Sequence, residues 1–180
     1  DAECIKVPMA DGGEGTVDAL VNATEGKFIE IEVTNPIGKK IKAKYGILGD
    51  SKTAVIEMAK ASGIELINRK ERNPYVTTTY GTGEFIKDAV NRGIKHILIG
   101  IGGSATNDGG AGMLQALGVK LLDINKEEIP FGGVHLEKIE YIDKGNIDEF
   151  LEDVTIEVAC DVTNPLVGEN GASYIFGPQK

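Results

Sequence analysis

The chain has 180 residues, 41% of them hydrophobic and 26% charged, a soluble globular balance that argues against disorder and suits one sizeable domain or a domain plus a fragment. Nineteen Lys and Arg against 28 Asp and Glu give a net charge of −9, and there is no Trp. That is a poor footprint for nucleic acid or an anionic membrane and a better one for a small molecule or a divalent cation.

No apolar run approaches the ~18 residues of a membrane span, and the first residues do not resemble a secretion signal. Cys4 and Cys160 both fall in stretches that read as buried strands, so reduced core thiols and a cytoplasmic setting are expected. The start at Asp1 and the stop at Lys180 read as a piece of something longer.

In chain order, "CIKVPMA" predicts a buried strand running into "DGGEGT", and "VDALVNAT" a helix with Thr16 as N-cap. From Lys27 the period changes to two. Phe28/Ile29, Ile31 and Val33, then Ile41, Ala43 and Tyr45 around "NPIGKK", predict an antiparallel hairpin. "TAVIEMAKASGIELI" reads as a strand and then a helical stretch closed near Gly63. "GTGEFIKDAVNRG" is an amphipathic helix from about Thr82 to Asn91, stopped by Gly93. "IKHILIGI" is a strand covered on both faces. "GGSATNDGG" leads into helix "AGMLQALG" and strand "VKLLD", which together read as a βαβ unit. The tail holds the turn "INKEEIPFGG", an acidic helix "NIDEFLEDV", a buried strand "TIEVACDV" and the loop "TNPLVGENGAS". The fold class expected is α/β, a mixed sheet with βαβ units and an antiparallel hairpin, with a topological boundary near residue 27.

"GIGGSATNDGGAG" carries the chemistry, with six glycines between Gly100 and Gly112. A strand ending in Gly-Gly-Ser before a helix leaves backbone amides at a positive helix end, a site for phosphate or carboxylate. Glycines let an anion approach the backbone and permit positive φ. Gly102, Gly103 and Ser104 are the anion-binding amides, and Asn107 and Asp108 add polar and metal-capable oxygens. A plain turn with Ser104, Thr106 and Asp108 as caps is the simpler reading, but it needs fewer glycines. Gly100-x-Gly102-x-x-Ala105, with Asp123 about 20 residues on, also fits a dinucleotide fingerprint and so an NAD(P)-binding oxidoreductase. A Walker A loop is absent from the sequence.

Three more loops are of the same kind: "MADGGEGT" with Asp11 and Glu14, "RNPYVTTTYGTGE" with Arg72, and "CDVTNPLVGENGAS" with Asp161 and Asn164. Ligands in open α/β sheets bind at the carboxyl ends of strands, where three of these four loops start. His96 and His135 lack an orienting partner in the sequence, and Met9, Met58 and Met113 read as core.

"VPMADGGEGTVDALV", "RNPxxTTTYGTGE", "IGIGGSATNDGGAGMLQALG" and "ACDVTNPLxGxxGASxxFGPQK", in this order, closely resemble the glycerate kinase family of bacterial type. The resemblance runs along all 180 residues. It implies Mg²⁺-dependent transfer of a phosphoryl group from ATP to the 2-hydroxyl of D-glycerate, in a two-domain α/β protein of unusual fold. Family members begin with a further strand and carry a long C-terminal part. Residues 1–27 would then end a nucleotide-type domain, and 28–180 would form most of a second.

Phosphoryl transfer needs charge neutralisation, a carboxylate-held Mg²⁺ and a proton acceptor. Asp11, Asp108 and Asp161 are the catalytic candidates, with Asp11 and Asp108 preferred for the metal because their glycine neighbours leave them accessible. Gly12, Gly13, Glu14, Arg72, Thr79, Gly102, Gly103, Ser104, Asn107, Asn164 and Lys180 are the candidates for binding substrate or phosphate. Thr78, Thr79 and Thr82 also read as helix caps. A non-catalytic ligand-binding fragment of the same fold is the other alternative, and homo-oligomerisation stays open.

Overall fold

The computed structural model describes residues 13–180. Asp11, Gly12, Cys4 and Met9 therefore lie outside the described residues.

Helix α1 (Thr16–Ala23) begins after Gly15, which takes a left-handed conformation at φ 91°. Gly15 is the N-cap and Thr16 the first helical residue, a correction to the sequence reading. The Thr16 hydroxyl instead donates back to the Gly13 carbonyl at 2.8 Å.

Strands β1 (Lys27–Thr34) and β2 (Lys40–Ile47) form the expected hairpin. Ile29 faces Tyr45, Ile31 faces Ala43 and Val33 faces Ile41, so the alternation read from the sequence puts one apolar row on one face. Strand β3 (Thr53–Glu57) is buried along its whole length. It leads through the short α2 (Ala59–Ser62) to α3 (Tyr80–Asn91) and strand β4 (His96–Gly100). Helix α4 (Ala111–Ala116), strands β5 (Lys120–Leu122) and β6 (Tyr141–Asp143), helix α5 (Ile147–Phe150), strand β7 (Thr155–Ala159) and helix α6 (Ala172–Phe176) complete the described elements.

The main sheet runs β1-β2-β3-β4-β7, and β5 and β6 form a separate two-stranded sheet. Strands β3, β4 and β7 are parallel and in register, so Glu57, Gly100 and Ala159 lie side by side at their carboxyl ends. Helices cover both faces. Phe85, Ile86 and Ala89 of α3 pack with Val33, Tyr45, Ala54, Ile56, Ile97 and Ile99. Val17 and Val21 of α1 pack against Val55 on the other face. A strand sandwiched in this way reads as a continuous apolar run, which is why β3 and β4 are legible in the sequence.

The expected β4–α4–β5 unit is not present. Strand β5 pairs antiparallel with β6, and β4 has β3 and β7 as its neighbours. The Asp123 carboxylate turns the chain back after β5 by accepting from the amides of Asn125 and Glu127 at 2.8 and 2.9 Å. Asp123 therefore closes an exposed turn, and the spacing that suggested a dinucleotide site loses its second half. Strand β7 was expected to be buried. Among the described residues it is an edge strand and largely exposed, and Cys160, read as a core thiol, is exposed as well. Isoleucine and valine mark a strand through β-propensity, and sheet position decides whether they are covered.

Among the described residues, no helix is long and apolar enough to cross a membrane.

Candidate functional site

The segments that follow β3 and β4 meet the start of α3 and Lys180, through contacts of Ser62 with Thr82, of Thr79 with Asp108 and of Lys180 with Ser104 and Thr106. The turn after β4 leaves Gly102 and Gly103 exposed, with Gly103 at φ 71°. Among the described residues, none accepts a hydrogen bond from the amides of Gly102, Gly103 or Ser104. Their carbonyl side is anchored: the Ile64 amide donates to the Gly103 carbonyl and the Ala105 amide to the Ser62 carbonyl, both at 2.9 Å. An exposed turn held through its neighbours, with amides that no described residue engages, suits an anion.

Lys180 supplies the cation. Its ammonium donates to the Ser104 hydroxyl and to the Thr106 carbonyl, the latter at 2.8 Å. Burial holds this lysine below the ordinary value of 10.5, with the Asp108 charge opposing. Among the described residues, no carboxylate lies within ion-pair distance of it. A part-buried ammonium whose hydrogen-bond partners are neutral oxygens leaves room for an incoming anion.

Asp108 is placed otherwise than expected. It is 1% exposed, and four donors converge on it. One oxygen accepts from the Thr79 amide at 2.8 Å, the Thr79 hydroxyl at 2.9 Å and the Gly112 amide at 3.2 Å. The other accepts from the Gly110 amide at 3.2 Å. Its glycine neighbours do not leave it accessible; they bring the backbone close enough to bury it. A Cβ on Gly112 would lie 2.1 Å from the Thr78 hydroxyl oxygen and 3.0 Å from the Asp108 carboxylate. Asp108 thus occupies the α4 N-terminus with the protein's own carboxylate, and the open amides lie upstream, at Gly102 to Ser104. Thr79 extends the link, its hydroxyl also accepting from the Met113 amide at 2.9 Å.

Glu57 is a candidate site residue that the sequence reading missed. It ends β3 at 2% exposure, and one of its oxygens accepts from the Val17 amide at the start of α1 at 2.9 Å. Its other oxygen is buried without a hydrogen bond and lies 3.6 Å from the Lys60 ammonium, which is also 3.1 Å from Glu14. Burial works against the Lys60 charge, yet the hydrogen bond to Glu14 and the charges of Glu57 and Glu14 raise its pKa overall. The available signal was a carboxylate ending the apolar run "TAVIE", at a strand's carboxyl end, near which Asp161 was singled out after β7.

The other candidates are more dispersed. Asp161 is exposed just beyond β7. The Asn164 amide group staples its own loop to the Asn170 carbonyl at 3.0 Å. The Nε of Arg72 is buried without a partner. Gly13 accepts from Thr16 before α1. His135 Nδ1 is likewise buried and unpartnered. His96 does have a carboxylate partner, Glu157, at 2.7 Å, but it begins β4, at the end of the sheet away from the Gly-rich turn.

A cleft of about 980 Å³ reaches Lys180, which bonds Ser104 of the turn. Pro74 and Tyr75 line it, with Asn107, Gly133, Tyr174 and Lys180.

Asp108 does not fit a metal site, since its oxygens are already engaged. Among the described residues, no group of three or more His, Cys, Asp or Glu is placed to hold a metal. Mg²⁺ ordinarily needs only one or two carboxylates beside substrate phosphates.

Comparison with known proteins follows the same lines. The sequence model of the glycerate kinase family matches residues 1–180. The chain is 60% identical over 180 residues to a glycerate kinase of Haemophilus influenzae, covering 100% of this chain and 48% of the relative. It is 59% identical over 180 residues to a glycerate 2-kinase of Escherichia coli, covering 100% of this chain and 47% of that protein. The crystal structure described as that of a glycerate kinase 2 from Salmonella typhimurium superposes with a TM-score of 0.93 at 55% identity, over 99% of this chain and 48% of that one. This chain thus spans about half the length of the relatives it matches. Its four loop motifs, its sheet and its full-length match agree, and the chain belongs to the glycerate kinase family.

Proposed function

We propose that the protein transfers the γ-phosphoryl group of ATP to the 2-hydroxyl of D-glycerate, giving 2-phosphoglycerate and ADP. The observation that carries this reading is Lys180: a part-buried ammonium with neutral hydrogen-bond partners, set beside the open amides of Gly102, Gly103 and Ser104. Such an arrangement stabilises charge on phosphoryl oxygens, and in phosphoryl transfer positioning and electrostatics supply nearly all of the catalysis.

In the proposed reaction the glycerate hydroxyl oxygen bonds to the γ-phosphorus, the bond to the ADP oxygen breaks, and the hydroxyl proton passes to a carboxylate. Asp161 is the described carboxylate open to that role, with Asp11 the alternative outside the described residues. Whichever of Asp161 and Asp11 is not the proton acceptor would hold Mg²⁺ with the nucleotide phosphates, the ion supplying further charge neutralisation. Arg72 and Asn164 are proposed for the glycerate carboxylate. Asp108 acts through Thr79 and the glycines, as the anchor that keeps the turn in place. The names of the relatives support the acid as substrate. The division at residue 27 into a nucleotide-type domain and a second α/β domain is proposed from the family resemblance.

The test is ADP release by the intact protein with D-glycerate and Mg·ATP, followed by identification of the product. The expected outcome is glycerate-dependent ADP release with 2-phosphoglycerate formed. Absence of ADP above background overturns the kinase reading, and 3-phosphoglycerate as product overturns the 2-hydroxyl assignment.

A further inference from the structure

We propose that the cleft beside Lys180 takes the nucleotide, with its phosphates at Lys180 and the Gly102 to Ser104 turn and its base against Tyr75 and Tyr174, so that the three-carbon acid binds elsewhere. The inference rests on the kinase reading and decides which of the two anionic substrates occupies this anion site.

Size is the first argument. At about 980 Å³, the cleft is at the upper end of the roughly 300–1,000 Å³ that hold drug-sized ligands. Glycerate is a small part of that.

Chemistry along the cleft is the second. One end is cationic and polar, at Lys180 and Asn107, and the rest of the lining carries Pro74, Tyr75, Leu136 and Tyr174. Tyr75 is 66% exposed and Tyr174 71% exposed, so both rings are open to a ligand lying in the cleft. A nucleotide has the same polarity, a flat aromatic base at one end and phosphates at the other. Glycerate has no apolar part and would leave those rings facing water.

Rigidity is the third. The Val134 amide donates to the Tyr75 carbonyl at 3.1 Å. A Cβ on Gly132 would lie 2.3 Å from that same carbonyl, and one on Gly133 would lie 2.5 Å from the Asn107 carbonyl. Backbone packed this closely holds the tyrosine-bearing loop in place before any ligand arrives, which lowers the cost of binding.

Calorimetric titration of the intact protein with ADP, adenosine and D-glycerate tests the assignment on Tyr75→Ala, Tyr174→Ala and Lys180→Met. Both tyrosines are exposed, and urea midpoints check that the variants fold. Base stacking on an aromatic ring predicts a rise of about tenfold in the dissociation constants of ADP and adenosine for Tyr174→Ala and Tyr75→Ala. Glycerate binding should stay within about twofold. Lys180→Met should weaken ADP strongly and adenosine little. Unchanged ADP binding in both tyrosine variants, no ADP binding by the unsubstituted protein, or a selective loss of glycerate binding overturns the proposal. Tyrosine-dependent ADP binding without glycerate turnover keeps the nucleotide subsite and removes the kinase reading. Turnover with nucleotide binding that ignores the tyrosines does the reverse.

Discussion

Lys180 shows how a single residue's surroundings set its chemistry. As the last letter of "FGPQK" it is marked by its charge and by the family motif, and neither says whether it is buried. The fold brings it against Ser104 and Thr106, and burial lowers its pKa from 10.5. The consequence for stability has a definite sign. Between the lowered folded value and 10.5 the unfolded chain binds a proton that the folded chain has released, so the free energy of unfolding rises with pH across that window. Affinity for a phosphate anion should fall across the same window, because the ammonium that attracts it is lost. Urea unfolding and ADP titration of the unsubstituted protein and Lys180→Met, from neutral pH to about 10, should show both trends only where the lysine is present. Parallel curves for the two proteins would remove the assignment. Glu57 teaches the same lesson in reverse: its position at the end of an apolar run was readable, but its contact with the Val17 amide joins residues 40 apart, a link that no local pattern carries.

At the scale of elements, the point of interest is how α3 and α4 meet. Their N-termini converge on one carboxylate, Asp108, through Thr79, Gly110 and Gly112. Negative charge at a helix N-terminus is favourable, and here the two helices share it. Asp108→Asn replaces one acceptor oxygen with a donor among donors. The expected loss is roughly 1–3 kcal/mol of stability, from charge-assisted bonds removed and a buried group left unpaired, read as a lower urea midpoint. An unchanged midpoint together with turnover reduced by orders of magnitude would make Asp108 a chemical group and not an anchor. The hairpin, β3, α3 and β4 were legible because their periods of two and 3.6, or an unbroken apolar run, reflect local backbone geometry. The pairing of β5 was not. A three-residue strand has the same local appearance whether it joins a parallel sheet or a small antiparallel one, and the Asp123 turn decides between them.

For the molecule as a whole, the sheet formed by the described residues has a covered centre and ends on β1 at one side and β7 at the other. Strand β7 pairs with β4 and exposes Ile156 at 38% and Val158 at 53%. An exposed apolar edge strand invites pairing with another chain. The 180-residue chain is therefore expected to self-associate in sedimentation velocity, and Val158→Lys to reduce that association. A monomer at all concentrations would overturn the expectation.

The sequence by itself determined the α/β class, most of the helices and strands, the location of chemistry in the glycine-rich loops and the family, because all of these rest on local period, local turn chemistry and contiguous motifs. The tertiary structure decided what each charged group does. It turned Asp108 inward as an anchor, brought Glu57 to α1, left β7 and Cys160 exposed among the described residues, and set Lys180 against the Ser104 hydroxyl and the Thr106 carbonyl. Burial and charge pairing depend on segments far apart in the chain, and only the packed fold sets those distances.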